Sequence, residues 1–250
     1  MERRFACTIC GKCCQGWLPL TIGDAVRHAH LFPLAVLWST VRQGSKAFAL
    51  TGQLGLQFNK KVALRLTPLA YIPTSMPCPA LTDGNRCSIH ESKPLRCRAM
   101  PFSADRETND QADLLIPRPG WLCDISPSAA VVYRDGAILD RADFEAERQA
   151  LAAQAPVLKA YGEFLLKSLP SLKIQIEKLA QRPGGGQMVL KISPLLRKIP
   201  SVDLLDFARR QAPVLKAFLD RLPEGEQFKE YRKNYADWAQ EMESLQGGGA

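Results

Sequence analysis

No stretch of this chain is apolar for long enough to cross a bilayer as a helix: nothing approaches the ~18–20 residues such a span needs. The amino terminus, Met1 to Cys7, carries Arg3 and Arg4 but no apolar core behind them, so it does not read as a secretory signal. The expectation is a cytoplasmic chain without a membrane partner, in a compartment where thiols stay reduced. Gly-x-Gly-x-x-Gly, Walker and serine-nucleophile motifs are missing. Gly184-Gly185-Gly186 follows Pro183 rather than a strand, so it reads as a flexible link and not as a nucleotide loop. Histidine is scarce, at three residues. His28 and His30 flank Ala29 with no further ligand at i+4, and His90, shortly after Cys87, reads as a zinc ligand or as a hydrogen-bond partner of a sulfur. Cysteine ends at Cys123, leaving the second half without any.

What the chain does hold is thiol in the first half. Cys7-Thr8-Ile9-Cys10-Gly11-Lys12-Cys13-Cys14 places four of the eight cysteines within eight residues. Cys7-x-x-Cys10-Gly11 has the form of a metal knuckle, in which the two-residue gap wraps the chain round an ion and glycine lets backbone amides approach sulfur. Cys13 repeats the gap, as in an iron–sulfur ligand run. Adjacent side chains are expected to diverge, so Cys13 and Cys14 read as serving two centres, or one as serving a cluster while the other stays free for redox or catalytic use. Cys78, Cys87, Cys97 and Cys123 then supply the distal set, and the expected partition draws on both sets for each of two four-thiolate sites. Metal binding would thereby be coupled to folding of the first half. At ~10–16 kcal/mol apparent for structural zinc in peptides against ~5–15 kcal/mol for a whole domain, its removal is expected to unfold residues 1 to about 125.

Net charge is +8, of which residues 1–125 carry +6 (15 Lys and Arg against 9 Asp and Glu). Arg86, Lys93, Arg96, Arg98 and Arg106 would offset thiolate charge near the distal cysteines. That reading leaves nucleic-acid binding resting on charge alone, and it is not expected.

The patterning gives an α+β fold, with a small cysteine-rich metal-binding domain over 1–125, a mainly helical region over 126–246, and a flexible tail over 247–250. Thr21 to Asp24 signals a helix start. Pro33 is expected to open a second helix ending at Gly44, and alternation over residues 47–67 predicts a short antiparallel sheet. Four prolines make 68–79 an ordered loop. Asp83-Gly84-Asn85 is a turn that returns Cys87 toward Cys78. Pro94 opens a short helix through Arg98, residues 113–116 predict a strand, and 187–192 another. Asp140 to Ala153 and Pro156 to Leu169 predict two helices, and residues 202–222 and 226–245 predict more. The octapeptide beginning Gln154-Ala155-Pro156 recurs, with Phe for Tyr at its end, from Gln211.

Cys-x-x-Cys-x-x-Cys-Cys, then Cys78-Pro79-x-Leu81 with Cys87-Ser88-Ile89-His90, then Pro94-Leu95-Arg96-Cys97-Arg98-x-x-Pro101, resembles the YkgJ-type cysteine-cluster family, which includes flagellin lysine N-methylases. The resemblance covers Cys7 to Pro101. It implies zinc or iron chelation by Cys7, Cys10, Cys13, Cys14, Cys78, Cys87 and Cys97; Cys123 lies beyond it and joins the set by count. This chain has Lys93 where the family usually has Arg, and Met100 where it has an aromatic. Two functions follow as expectations. One is a [4Fe–4S] protein, or a zinc protein, with redox-linked or methyl-type group transfer onto a protein side chain, and with a pocket near Cys14 and Arg98. The other is a structural zinc module whose helical half binds a protein partner.

Overall fold

The run from Leu34 to Arg42, expected as a helix, is instead the central strand of the main sheet. Its first five side chains, Leu34 to Trp38, are all buried, so it lacks the one-sided periodicity that separates a helix from a strand with both faces covered. The computed structural model describes residues 2–247. Of the expected flexible tail only Gly247 falls among them, as the end of the last helix.

In chain order the strands are β1 (Glu2–Arg4), β2 (Leu18–Pro19), β3 (Leu34–Arg42), β4 (Leu56–Asn59), β5 (Val62–Ala70), β6 (Val131–Arg134), β7 (Ala137–Ile138) and β8 (Gln187–Lys191). The helices are α1 (Ile22–Arg27), α2 (Phe48–Leu54), α3 (Leu95–Ala99), α4 (Ala142–Ser168), α5 (Pro170–Ala180), α6 (Ser193–Leu196), α7 (Leu204–Arg221) and α8 (Lys229–Gly247). The main sheet is antiparallel, in the order β2-β5-β3-β8, with β4 on the same edge of β5 as β2 but at its other end. A second antiparallel sheet runs β1-β6-β7. The chain is thus α+β, with a cysteine-rich first part and a mainly helical second part.

The alternation over 47–67 is realised only from β4 onward, as the β4–β5 hairpin. Before it, Leu50 and Leu54 also satisfy an i, i+4 spacing and lie in α2. The expected strand at 113–116 is a 3₁₀ turn over Ala112–Leu115. The β6–β7 hairpin carries no signal beyond Asp135-Gly136, both at positive φ. The expected break at Pro156 does not occur, and α4 runs through it for 27 residues. Pro156 is exposed, while Gln154, Ala155, Leu158 and Tyr161 are buried on either side. That burial outweighs the ~3 kcal/mol an interior proline costs a helix.

The sequence echo has a structural use. Gln154 Oε1 accepts the Ile22 amide at 2.7 Å. Gln211 Oε1 accepts the Leu34 amide at 2.7 Å, and its Nε2 donates to the Ala29 and Phe32 carbonyls at 2.7 and 2.9 Å. Gln154 therefore ties a helix of the second half to the first residue of α1, and Gln211 ties another to the segment from the end of α1 to the first residue of β3. The residues four and seven positions after each glutamine, Leu158 and Tyr161 or Leu215 and Phe218, are buried in one core.

That core unites residues 20–72 with residues 158–242, and β8 pairs with β3 along its length. The glycine run before β8, expected to be a flexible link, is docked: the Gly186 amide donates to Thr40 Oγ1 at 2.7 Å, and the Thr40 amide to the Gly186 carbonyl at 2.9 Å. A smaller core of Phe5, Phe102, Ala104, Leu115, Tyr133, Ile138 and Phe144 sits under the second sheet. The cysteines lie between these cores, with Cys78 packed against the larger and Cys123 against the smaller.

Candidate metal centre

Residues 7–14 form neither helix nor strand, so their backbone amides are free to serve other acceptors. The Ile9 amide points at Cys7 Sγ, 3.5 Å away, and the Lys12 amide donates to the Cys10 sulfur. This i+2 pattern is produced by positive φ at Ile9 (57°) and Gly11 (68°). At Gly11 a side chain is also barred by space, since a Cβ would stand 2.8 Å from Asn85 Oδ1. The Asp83–Asn85 turn thus closes against the amino-terminal run.

Two antiparallel bridges join that run to the distal cysteines. Ala6 and Asp124 exchange both backbone bonds, at 2.8 and 2.9 Å, and Thr8 Oγ1 donates to the Leu122 carbonyl at 2.9 Å. Cys7 and Cys123 are therefore directly opposite one another and on one face. Gln15 pairs with Pro77, with the Cys78 amide donating to the Cys14 carbonyl at 2.9 Å and the Gly16 amide to the Met76 carbonyl at 3.2 Å. Cys14 and Cys78 are therefore opposite one another as well. A third bridge, Leu81 with Cys87, closes round the 83–85 turn and brings Cys87 back beside Cys78. Cys97 arrives from α3, whose start at Pro94 matches the sequence expectation.

The thiols' mutual electrostatics follow the same grouping except at Cys13, which acts on Cys78 and Cys97 as well as on Cys123. Burial pushes Cys97 up to about 12, and Cys78, Cys87 and Cys13 add to the rise against a smaller opposing effect of Arg96. Burial likewise raises Cys78, with Cys87 and Cys13 adding. Cys123 is raised by burial and then by Cys10, Cys7 and Cys13. Cys10 is held below the ordinary thiol value by the Lys12 and Leu122 amides, with the Thr8 hydroxyl helping. Cys13 and Cys14 act as a pair, their sulfurs 3.9 Å apart. Cys13 is pushed up, by that contact first, then by burial and the charge on Cys14; Cys14 is lowered by the same contact, against burial and the charges of Cys78, Cys97 and Cys87. The expected divergence of these neighbours is not found. Residues 11–14 form a turn closed by the Cys14 amide on the Gly11 carbonyl, which curls the two side chains toward one side.

The flanking arginines are committed to packing more than to sulfur. Arg96 donates to the Phe102 carbonyl at 2.6 Å and lies 3.5 Å from Glu147 of α4. Arg98 pairs with Asp143 at 2.5 Å, and Arg106 with Asp113 at 3.0 Å. Arg86 is exposed. Lys93 bears on Cys13. His28 is buried and shares a 2.9 Å hydrogen bond with the Ser92 carbonyl; His30 and His90 are exposed. Thr8 and Leu122, which the sequence reading did not single out, join the site through bonds that only the Ala6–Asp124 pairing creates.

All eight cysteines are free. Among the described residues no three His, Cys, Asp or Glu side chains form a ready-made metal-holding group; the backbone gathers the thiols, and rotation of their side chains would have to close either group round an ion. The donor set fits a thiophilic metal, because a cation would relieve the repulsion that keeps crowded thiols protonated. Residues 6–114 match a family model described as "CxxCxxCC: Putative zinc- or iron-chelating domain". No curated protein and no solved structure matches the chain.

Proposed function

We propose, from the match of residues 6–114 to the model of a zinc- or iron-chelating CxxCxxCC domain, that this chain is a metal-binding protein of the reducing cytosol that carries an iron–sulfur cluster. The observation supporting this most is the donor set: free thiols alone, drawn from distant parts of the chain by backbone pairing. The Cys-x-x-Cys-x-x-Cys spacing is that of cluster ligands. Backbone amides directed at Cys7 and Cys10 are the kind of hydrogen bond that tunes a cluster's potential. When bound, the group would supply either electron transfer or structural cross-linking. The chain's own part is to hold thiols in place, supply amide hydrogen bonds and limit the access of water to the more buried sulfurs.

Zinc is the second reading, and one distance favours it. Two thiolates on one tetrahedral zinc lie roughly 3.8 Å apart, close to the 3.9 Å between Cys13 and Cys14 sulfurs. The proposal stops at metal binding. Group transfer onto a protein side chain needs a pocket beside the thiols. Two clefts of about 610 and 620 Å³ are lined by residues such as Thr40, Arg65 and Arg182, and Lys46, Arg106 and Asp110, with no cysteine in either lining. Arg98, beside which that pocket was expected, is paired with Asp143.

Anaerobic purification followed by metal and acid-labile sulfide analysis, with a visible absorption spectrum, tests the reading. Iron and sulfide in equal amounts with a brown chromophore are expected. A colourless protein with stoichiometric zinc turns the assignment to zinc, and a protein holding neither metal removes it.

A further inference from the structure

We propose that the cleft of about 610 Å³ beside the docked glycine run binds a small organic phosphate, with Arg182, Arg65, Ser39 and Gln187 serving the phosphate and Trp17 the apolar part. The site is separate from the thiols, none of which lines it, and its ligand is independent of the metal-binding reading.

One row of the main sheet and one turn build the cleft. Arg65 of β5 stands opposite Ser39 of β3, and Ser39 opposite Gln187 of β8, so three polar side chains lie side by side on one face. Ser39 and Arg65 are half-buried and Gln187 is exposed. The turn is Arg182-Pro183-Gly184-Gly185, closed by the Gly185 amide on the Arg182 carbonyl at 2.9 Å, with positive φ at both glycines. The two bonds between Gly186 and Thr40 fix this turn to the end of β3, so Arg182 leaves from an anchored point and not from a free loop. Trp17 lines the cleft as well, half-buried and held by the Tyr231 hydroxyl.

Charge and unspent donors decide what the cleft takes. Among the described residues its lining holds two guanidinium groups and no carboxylate. Asp105, which offsets Arg65, lies outside the lining, and no acid pairs with Arg182. The side chains of Ser39, Arg182 and Gln187 have no hydrogen-bond partner among the described residues, and Arg65 spends its two Nη atoms on Asp105 and Thr51 but keeps Nε. A doubly charged oxyanion suits this set: a guanidinium fork takes two of its oxygens, and a hydroxyl and an amide donate to the others. The volume lies within the ~300–1,000 Å³ of small-molecule sites, which leaves room for an organic group beside the phosphate. The indole of Trp17 is the flat apolar wall for that group.

Phenyl phosphate and inorganic phosphate are the probes, in equilibrium dialysis against the full-length chain under reducing conditions. One site per chain is expected, tighter for phenyl phosphate than for inorganic phosphate and weakening as salt rises. Arg182→Gln, which removes no contact within the protein, is expected to weaken both ligands roughly tenfold or more with unchanged thermal melting. Trp17→Leu is expected to bring phenyl phosphate down to the level of inorganic phosphate, whose own binding stays as in the parent and so controls for misfolding. Arg209→Gln, at an exposed arginine of α7 outside the cleft, is expected to bind both ligands as the parent does. No saturable binding of either ligand, full binding by Arg182→Gln, or an equal loss in Arg209→Gln would overturn the site. Benzoate bound as tightly as phenyl phosphate would overturn the assignment to phosphate. Metal content is read separately, so a failure here leaves the metal-binding reading standing, and a failure there leaves this one.

Discussion

Gln211 shows how a single side chain in a helix of the second half fixes backbone of the first. It is 1% exposed and bonds the amide of Leu34, the first residue of β3, and two carbonyls, of Ala29 and Phe32, that lie between α1 and β3. Truncating it leaves three buried backbone groups without partners, and each such loss is worth about 1–3 kcal/mol, though not additively. Gln154 serves one amide only. Gln211→Leu is therefore expected to lower unfolding free energy by about 3 kcal/mol and Gln154→Leu by about 1–2 kcal/mol, as urea titrations followed by far-ultraviolet dichroism will measure. The cysteines were legible one residue at a time, because thiol is rare and its spacing constrained. The glutamines were visible only as an unexplained echo, since no local rule tells a glutamine in a helical pattern that it will cap a distant loop.

At the level of elements, local signals read correctly wherever the chain decides its own conformation. The capping box of Thr21 with Asp24, the 83–85 turn and the proline-opened α3 all lie where expected. They fail where neighbours decide. β3 reads as a helix until β5 and β8 flank it, and Pro156 reads as a boundary until the buried side chains around it hold α4 continuous. The glycines before β8 belong to the second kind, since their conformation is imposed by the end of β3. Gly185 has φ +85°, and a Cβ there would meet the Thr40 carbonyl oxygen at 2.4 Å. Gly185→Ala should combine left-handed strain of about 1–2 kcal/mol with that clash and pull the start of β8 off β3. A loss of at least ~2 kcal/mol is expected, with faster amide exchange at the β8 end of the sheet. Gly184, with open space around its Cβ position, provides the control for φ alone.

Across the whole molecule the question is what metal removal would undo. Sequence reasoning coupled the metal to residues 1 to about 125 as a unit, because the distal cysteines span that length. The fold distributes those residues differently. Leu34, Trp38, Leu64, Leu66, Tyr71 and Ile72 share one core with Tyr161, Phe207, Phe218, Tyr235 and Trp238, so β3 and β5 are held by apolar burial that involves no thiol. Trp17, three residues after Cys14, is anchored to the same body through its 2.7 Å hydrogen bond to the Tyr231 hydroxyl. The segments that depend on sulfur for cross-linking are the irregular ones, residues 6–16, 74–98 and 117–125, joined to each other by isolated bridges and few apolar contacts. Hydrogen exchange with mass spectrometric readout, with and without a chelator and reductant, should therefore show lost protection in those three segments. Peptides from β3, β5, α4, α7 and α8 should remain as protected as before, because the cooperative unit that holds them is the main core and not the thiol groups. Global loss of protection would mean that the thiols brace the sheet as well as the loops, and the two would then have to be treated as one folding unit with metal as its nucleus.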